Sequence, residues 1–312
     1  MNESKKLRRS LITAALALLA ALFSVTAATF AWYIYNTAGH TTKVEMAAGS
    51  SVSLVISNAR DGEYKSSTVM EDFKGLLTPV STDNISRGFQ RAEKFAAINQ
   101  GTENERLVAT LFGKSTEDAD TAKNDFHKTS LFLRTSAPTL DIYLSDIRAD
   151  NYSDIDADST EEPPPIATAM RLGLMVMRKD ENGNYPEYIF DITTKASSHR
   201  ETGNNGDRVP GDNHVLDSTK DDGTTIEFRP YNSSNFCNYD KNTGKVSLKQ
   251  DSKPLFTLTN QGGSEGDKYG APVEVQIYLW LEGCDLDCTL DVAGTTLENL
   301  TLSFAGYAGE GA

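Results

Sequence analysis

The segment Val273–Glu282, "VEVQIYLWLE", puts Val273, Val275, Ile277, Leu279 and Leu281 on one face and Glu274, Gln276, Tyr278, Trp280 and Glu282 on the other. A period of two with one wholly aliphatic face predicts a strand half-buried in a sandwich. Similar runs recur along the chain, punctuated by Gly, Asn, Asp and Pro. "TKVEMAA" (Thr42–Ala48) and "SVSLVIS" (Ser51–Ser57) are divided by Gly49, and "TSLFLRTS" (Thr129–Ser136) and "LDIYLSDIRA" (Leu140–Ala149) by Pro138. "AMRLGLMVMRK" (Ala169–Lys179) and "YPEYIFDI" (Tyr185–Ile192) enclose Asn182-Gly183, a strong hairpin signal. "KVSLK" (Lys245–Lys249) and "PLFTLT" (Pro254–Thr259) read as further short strands. In "LENLTLSFAG" (Leu297–Gly306), Leu297, Leu300, Leu302 and Phe304 are the apolar positions, with a slip near Asn299 that predicts a bulge. The pattern predicts an all-β, antiparallel β-sandwich, one elaborated domain over residues 49–312.

Several stretches break the alternation. Ser86–Asn99, "SRGFQRAEKFAAIN", predicts a short helix, and Ser115–Asp125 an acidic loop. Residues 150–165, "DNYSDIDADSTEEPPP", read as an acidic, proline-ended linker, and Ser197–His214 as a polar, glycine-rich mobile loop.

The N-terminus follows another rule. Lys5, Lys6, Arg8 and Arg9 precede an uncharged run, Leu11–Ala31, whose end places Thr29 and Ala31 at signal-peptidase spacing. Residues 1–31 therefore read as a secretory signal peptide, preceded by its basic flank and forming a hydrophobic helix. The rival reading is an uncleaved anchor, since the run is long enough to span a bilayer. Either reading puts residues 32 onward outside the cytoplasmic membrane, secreted or at the cell surface, with membrane contact only through the N-terminal segment.

Charge reinforces the division. The chain has 30 Lys+Arg against 44 Asp+Glu, and without residues 1–31 the balance is 26 against 43, a net of −17. An acidic exported body argues against nucleic acid as a partner, because that partner selects a basic face.

Catalytic constellations are scarce. His40, His127, His199 and His214 form no H-E-x-x-H pair, and no G-x-S-x-G elbow, Walker motif or dinucleotide fingerprint occurs. The expectation is a non-enzyme without a resident cofactor. Asp154, Asp156 and Asp158 alternate like calcium ligands, yet an EF-hand counted from Asp154 would place Ser159 and Pro165 where Gly and Glu are required. They remain weak calcium candidates. Cys237, Cys284 and Cys288 allow one disulfide in an oxidising compartment. Spacing leaves open whether Cys284 pairs with Cys288 across "EGCDLDC" or Cys237 pairs with one of them.

The start, with "ATFAWYIYNT", resembles exported Gram-positive proteins processed by a SipW-type signal peptidase, the TasA-like biofilm-matrix fibre subunits and their camelysin relatives. "LTPVST" (Leu77–Thr82), "LFLRTS…LDIYL" (Leu131–Leu144), "AMRLGLMV" (Ala169–Val176) and "IYLWLEGCDLDC" (Ile277–Cys288) resemble a clostridial group of such surface proteins. That group usually carries one cysteine in the last motif, matching Cys288, so Cys284 is a departure. The resemblance implies a jelly-roll-like sandwich that assembles with itself, or with other cell-surface proteins, by β-strand addition into a filament. It makes residues 32–48 the extended assembly segment, with Trp32, Tyr33, Ile34, Tyr35, Val44 and Met46 as its apolar positions. Competing functions are a membrane-anchored binding module for carbohydrate or a cation, a pilin-like subunit and a secreted metal-dependent hydrolase.

Overall fold

The computed structural model describes residues 41–49, 53–69, 73–74, 77–98, 106–115, 125–154, 162–194, 200–202, 208–210, 218–219, 225–226, 233–240, 242–243, 245–288, 292, 297 and 299–308. The signal or anchor segment, Trp32–Tyr35, Asp156, Asp158, His40, His199 and His214 lie outside them.

The described chain is all-β, mostly antiparallel. Sheet one runs β10 (Tyr152–Ser153), β9 (Leu140–Ala149), β21 (Asn299–Tyr307), β1 (Thr41–Gly49) and β3 (Ser67–Val69), with β19 (Phe256–Leu258) on β9 and β4 (Phe73–Lys74) on β1. Sheet two runs β12 (Glu187–Asp191), β11 (Met170–Val176), β20 (Val273–Leu281), β8 (His127–Thr135) and β2 (Leu54–Ser57). A third sheet runs β16 (Thr225–Ile226), β15 (Ser218–Thr219), β7 (Arg106–Ser115), β6 (Phe89–Ile98) and β5 (Val80–Ser81). Two hairpins, β13 (Arg200–Thr202) with β14 (Arg208–Pro210) and β17 (Asn238–Asp240) with β18 (Lys245–Ser247), complete the strands. Helix α1 (Pro165–Ala169) is a single short turn leading into β11.

Sheets one and two pack as a sandwich because their aliphatic faces converge. Leu131, Leu133, Leu172, Ile277 and Leu279 from one side meet Ile142, Leu144, Leu300, Leu302 and Phe304 from the other in a continuous buried core. Each such side chain contributes about 1.5–3 kcal/mol relative to exposure. Long strands cross between the sheets rather than staying in one: β1 is followed by β2, β8 by β9, and β20 by β21.

Most strand positions agree with the periodicity. Asn182-Gly183 does make the β11–β12 turn, with Gly183 at φ +82° and the Asp180 carboxylate accepting from the Asn182 and Asn184 amides, both at 2.9 Å. Three expectations are corrected. The described part of Ser86–Asn99, up to Ile98, is not an α-helix: a 3-10 turn at Ile85–Arg87 ends at Gly88, whose φ of +87° redirects the chain into β6. The segment's helix formers are overridden by pairing with β5 and β7. The bulge of β21 lies between Ser303 and Phe304 rather than near Asn299, with Ser145 of β9 as the unmatched residue. In the glycine-rich loop the described residues form the β13–β14 hairpin.

The second face of β20 is also more covered than alternation predicts. Tyr278 and Trp280 pack with Val80, Ile85, Phe89, Phe126 and Met175 in a second, smaller core. Phe89 stacks on Phe126 at 4.3 Å and meets Trp280 edge-on at 5.2 Å between ring centroids. This packing leaves little room for a side chain at 173: a Cβ there would stand 2.6 Å from Ile85 Cδ1 and 3.0 Å from Trp280 Cζ3, so these side chains would have to shift. Gly173→Val is expected to cost about 1–3 kcal/mol by overpacking, measured by urea unfolding. Undiminished stability would show that this core is loose.

Candidate functional site

The sequence's most chemically loaded stretch, "EGCDLDC", follows β20 and consists of two successive tight turns. The Asp285 amide donates to the Glu282 carbonyl at 3.1 Å, and the Cys288 amide to the Asp285 carbonyl at 3.0 Å. Three neighbours hold the turns. The Glu282 amide donates to the Ala169 carbonyl at the end of α1 (2.8 Å), the Gly283 amide to Val80 of β5 (2.9 Å), and the Asp287 amide to Asp285 Oδ1 (2.7 Å).

Arg171 of β11 enters this turn. It is the lone cation in "AMRLGLMV", a strand buried along its full length. Its register partners are Asp191 on β12 and Trp280 on β20, which puts its side chain on the face toward the second core. The guanidinium pairs with Asp191 through Nε and with Asp285 Oδ2 through Nη2 at 2.5 Å, and Nη1 donates to the Met170 carbonyl at 3.1 Å. Arg171 and Asp285 are completely buried. Glu282, also completely buried, accepts from Trp280 Nε1 and from the Cys284 amide, each at 3.0 Å.

Electrostatics follow from burial. Burial pulls the basicity of Arg171 down, but Asp191, Asp285 and Glu282 together outweigh it and leave the group more basic than usual. Burial pushes the Glu282 carboxyl up to about 7, against weaker opposing pulls from Arg171, Trp280, the Cys284 amide and Ser81. Two carboxylates already face one guanidinium, so a third ionised acid would leave excess buried charge.

No disulfide joins the three candidate cysteines in the structure. Cys237, Cys284 and Cys288 are free thiols. Hydrogen bonds and the Arg171 pairs close the loop in place of a staple. Cys237 lies elsewhere, packed with Tyr143 and Ala305 on the outer face of sheet one. Burial pushes its thiol up to about 11 and raises Cys288 further, and in Cys288 the Asp285 and Glu282 charges add to the rise. Thiols held protonated at neutral pH are poor nucleophiles.

Of the calcium candidates, only Asp154 is described. Its carboxylate accepts from Tyr152 Oη (2.7 Å), Thr193 Oγ1 (3.0 Å), the Thr194 amide (2.5 Å) and Thr194 Oγ1 (2.6 Å). It ties β10 to the end of β12, and among the described residues no three metal-ligating side chains converge. His127, at the start of β8, is pushed down to about 4 by burial.

The assembly segment ends in β1, which pairs parallel with β21 from Lys43↔Asn299 to Gly49↔Ala305. Val44 sits opposite Leu300, and Met46 opposite Leu302. On its other edge, Glu45–Ala47 pair antiparallel with β3.

Sequence reasoning missed Arg171, Asp191 and Ser81 as parts of the buried cluster. The available signal was a single arginine inside an apolar run, since a cation there must be paired. No family model matches this chain, and neither a curated protein nor a solved structure matches it.

Proposed function

We propose that this chain is a non-enzymatic structural protein, exported and displayed at the cell surface or in the surrounding matrix, whose jelly-roll-like sandwich polymerises by strand addition. The observation that carries this reading is the parallel pairing of β1 with β21. β1 is the first described strand, and only four residues of sequence separate its end, Gly49, from Leu54 of β2. Its withdrawal unthreads no other strand. It would leave β21, whose Leu300, Leu302 and Phe304 are wholly buried, with an open backbone edge. The partners left beside it, β3 and β4, are three and two residues long. An open edge next to a core is the acceptor that strand addition uses. The same seven-residue register serves whether residues 43–49 come from the chain itself or from a neighbour.

The test is negative-stain electron microscopy of purified residues 32–312 over rising concentration. Filaments are expected, and Met46→Pro, which removes a ladder donor from a central strand, is expected to abolish them. Monomeric particles at every concentration would overturn the polymer reading.

A further inference from the structure

At one rim of sheet two, four segments that are distant in sequence converge on a pocket of about 250 Å³. Arg60 follows β2, Met177 and Arg178 follow β11, Thr259 and Gln261 follow β19, and Glu274 is the second residue of β20. The walls are fixed. The Met177 amide donates to the Glu274 carbonyl at 2.9 Å, and the Ala271 amide to the Gln261 carbonyl at 2.9 Å. Arg178 Nη2 donates to the Thr257 carbonyl across to sheet one at 2.5 Å. The Arg60 guanidinium sits 5.9 Å over the Phe132 ring.

The charge at this place runs against the rest of the molecule. The chain carries a net −14, yet two exposed guanidinium groups line one pocket and neither makes an ion pair among the described residues. Four other arginines are matched by acids: Arg91 with Asp125, Arg134 with Asp267, Arg148 with Asp146, and Arg171 with two acids. Two guanidinium groups without an acid partner among the described residues, on residues that line one pocket, suit an oxyanion, Arg178 with the donors that its Thr257 bond leaves.

Glu274 narrows the ligand class. Its Oε1 accepts from Ser130 Oγ at 2.8 Å and from Gln276 Nε2 at 3.4 Å, which leaves Oε2 to accept from a ligand. A carboxylate beside the arginines repels a second anion but welcomes a hydroxyl donor. Thr259 and Gln261 add neutral donors and acceptors. A ligand carrying one anionic group and several hydroxyls meets all of these, whereas a polyacidic peptide meets only the arginines. The volume is near the lower end of small-molecule sites (roughly 300–1,000 Å³) and suits a single ring.

We propose that this pocket binds a uronic-acid unit of an acidic polysaccharide, with the carboxylate on Arg60 and Arg178 and a ring hydroxyl on Glu274. The assignment stands apart from β1 and from polymerisation. The test is calorimetric titration of the purified protein with trigalacturonate, neutral galactotriose and a glutamate-rich tripeptide. Arg60→Gln and Arg178→Gln are titrated alongside, with their melting temperatures as a check on folding. Trigalacturonate is expected to bind, and each substitution to weaken it about 10-fold or more, the worth of one charged hydrogen bond. Absence of binding at millimolar ligand would overturn the proposal. So would equal affinity for the neutral sugar or the peptide, or undiminished binding by both folded variants.

Discussion

Arg171→Met is expected to lower the free energy of unfolding by about 3–5 kcal/mol, the usual cost of stripping one partner from a buried ion pair. The loss does not come from missing volume, since methionine fills most of the space. It comes from the acids left behind. Asp191 and Asp285 are both buried, and without the guanidinium each must either remain charged in a low-dielectric site or take up a proton. The turn depends on the same pair, because Asp285 holds Arg171 with one oxygen and caps the Asp287 amide with the other. Urea unfolding measures the effect. A companion Asp285→Asn in the Arg171→Met background is expected to recover part of the loss, because it removes one orphaned charge. A shift below about 1 kcal/mol for Arg171→Met would mean that the pairs are not energetically coupled to folding.

The stability advantage of the parent over Glu282→Gln is expected to grow by about 2–3 kcal/mol as pH falls from 8 to 5. In the unfolded chain Glu282 titrates near its ordinary 4.5, and in the folded protein near 7. The folded state therefore binds the proton more readily. Its contribution to stability is complete below about 4.5 and is lost as pH rises through about 7. His127 acts in the opposite sense: its folded value of about 4 against an ordinary 6.5 means that stability present above 6.5 is lost as pH falls through 4. Total stability is thus a poor readout, since the two trends oppose each other between pH 4 and 7. The difference between parent and variant cancels His127 and isolates Glu282. Glutamine also cannot accept equally from Trp280 and the Cys284 amide, so a constant cost of about 1–3 kcal/mol accompanies the pH-dependent part. A difference that stays flat across this range would place Glu282 as an ionised group in the folded protein.

Both effects concern a stretch that on its face invites a functional reading. Two cysteines and three acids within seven residues look like chemistry. In the fold Glu282, Cys284, Asp285 and Asp287 are buried within hydrogen bonds and ion pairs, and burial pushes the Cys288 thiol away from ionisation. The cluster clamps the end of β20 to β11, β12 and β5. Arg60, Arg178 and Glu274 instead line one pocket at the surface, and no motif links them because they lie on separate segments.

The sequence by itself determined most strands of the two sandwich sheets. In β20, Val273, Val275, Ile277 and Leu279 share a face because side chains alternate along an extended backbone, and no partner strand is needed to know it. The same local rule located β8, β9, β11 and the Asn182-Gly183 turn. Tertiary structure alone decided which strands neighbour one another and what covers the second face of β20. Phe89 and Trp280 are 191 positions apart, and no local periodicity reports that they touch. It also decided that "FQRAEKFAAI" is a strand, because cross-strand pairing outweighs the few tenths of a kcal/mol per residue by which its composition favours a helix. The parallel seat of β1 and the ion pairs of Arg171 belong to the same class. Local spacing fixes which face a side chain takes, whereas its partner is fixed only when distant segments pack together.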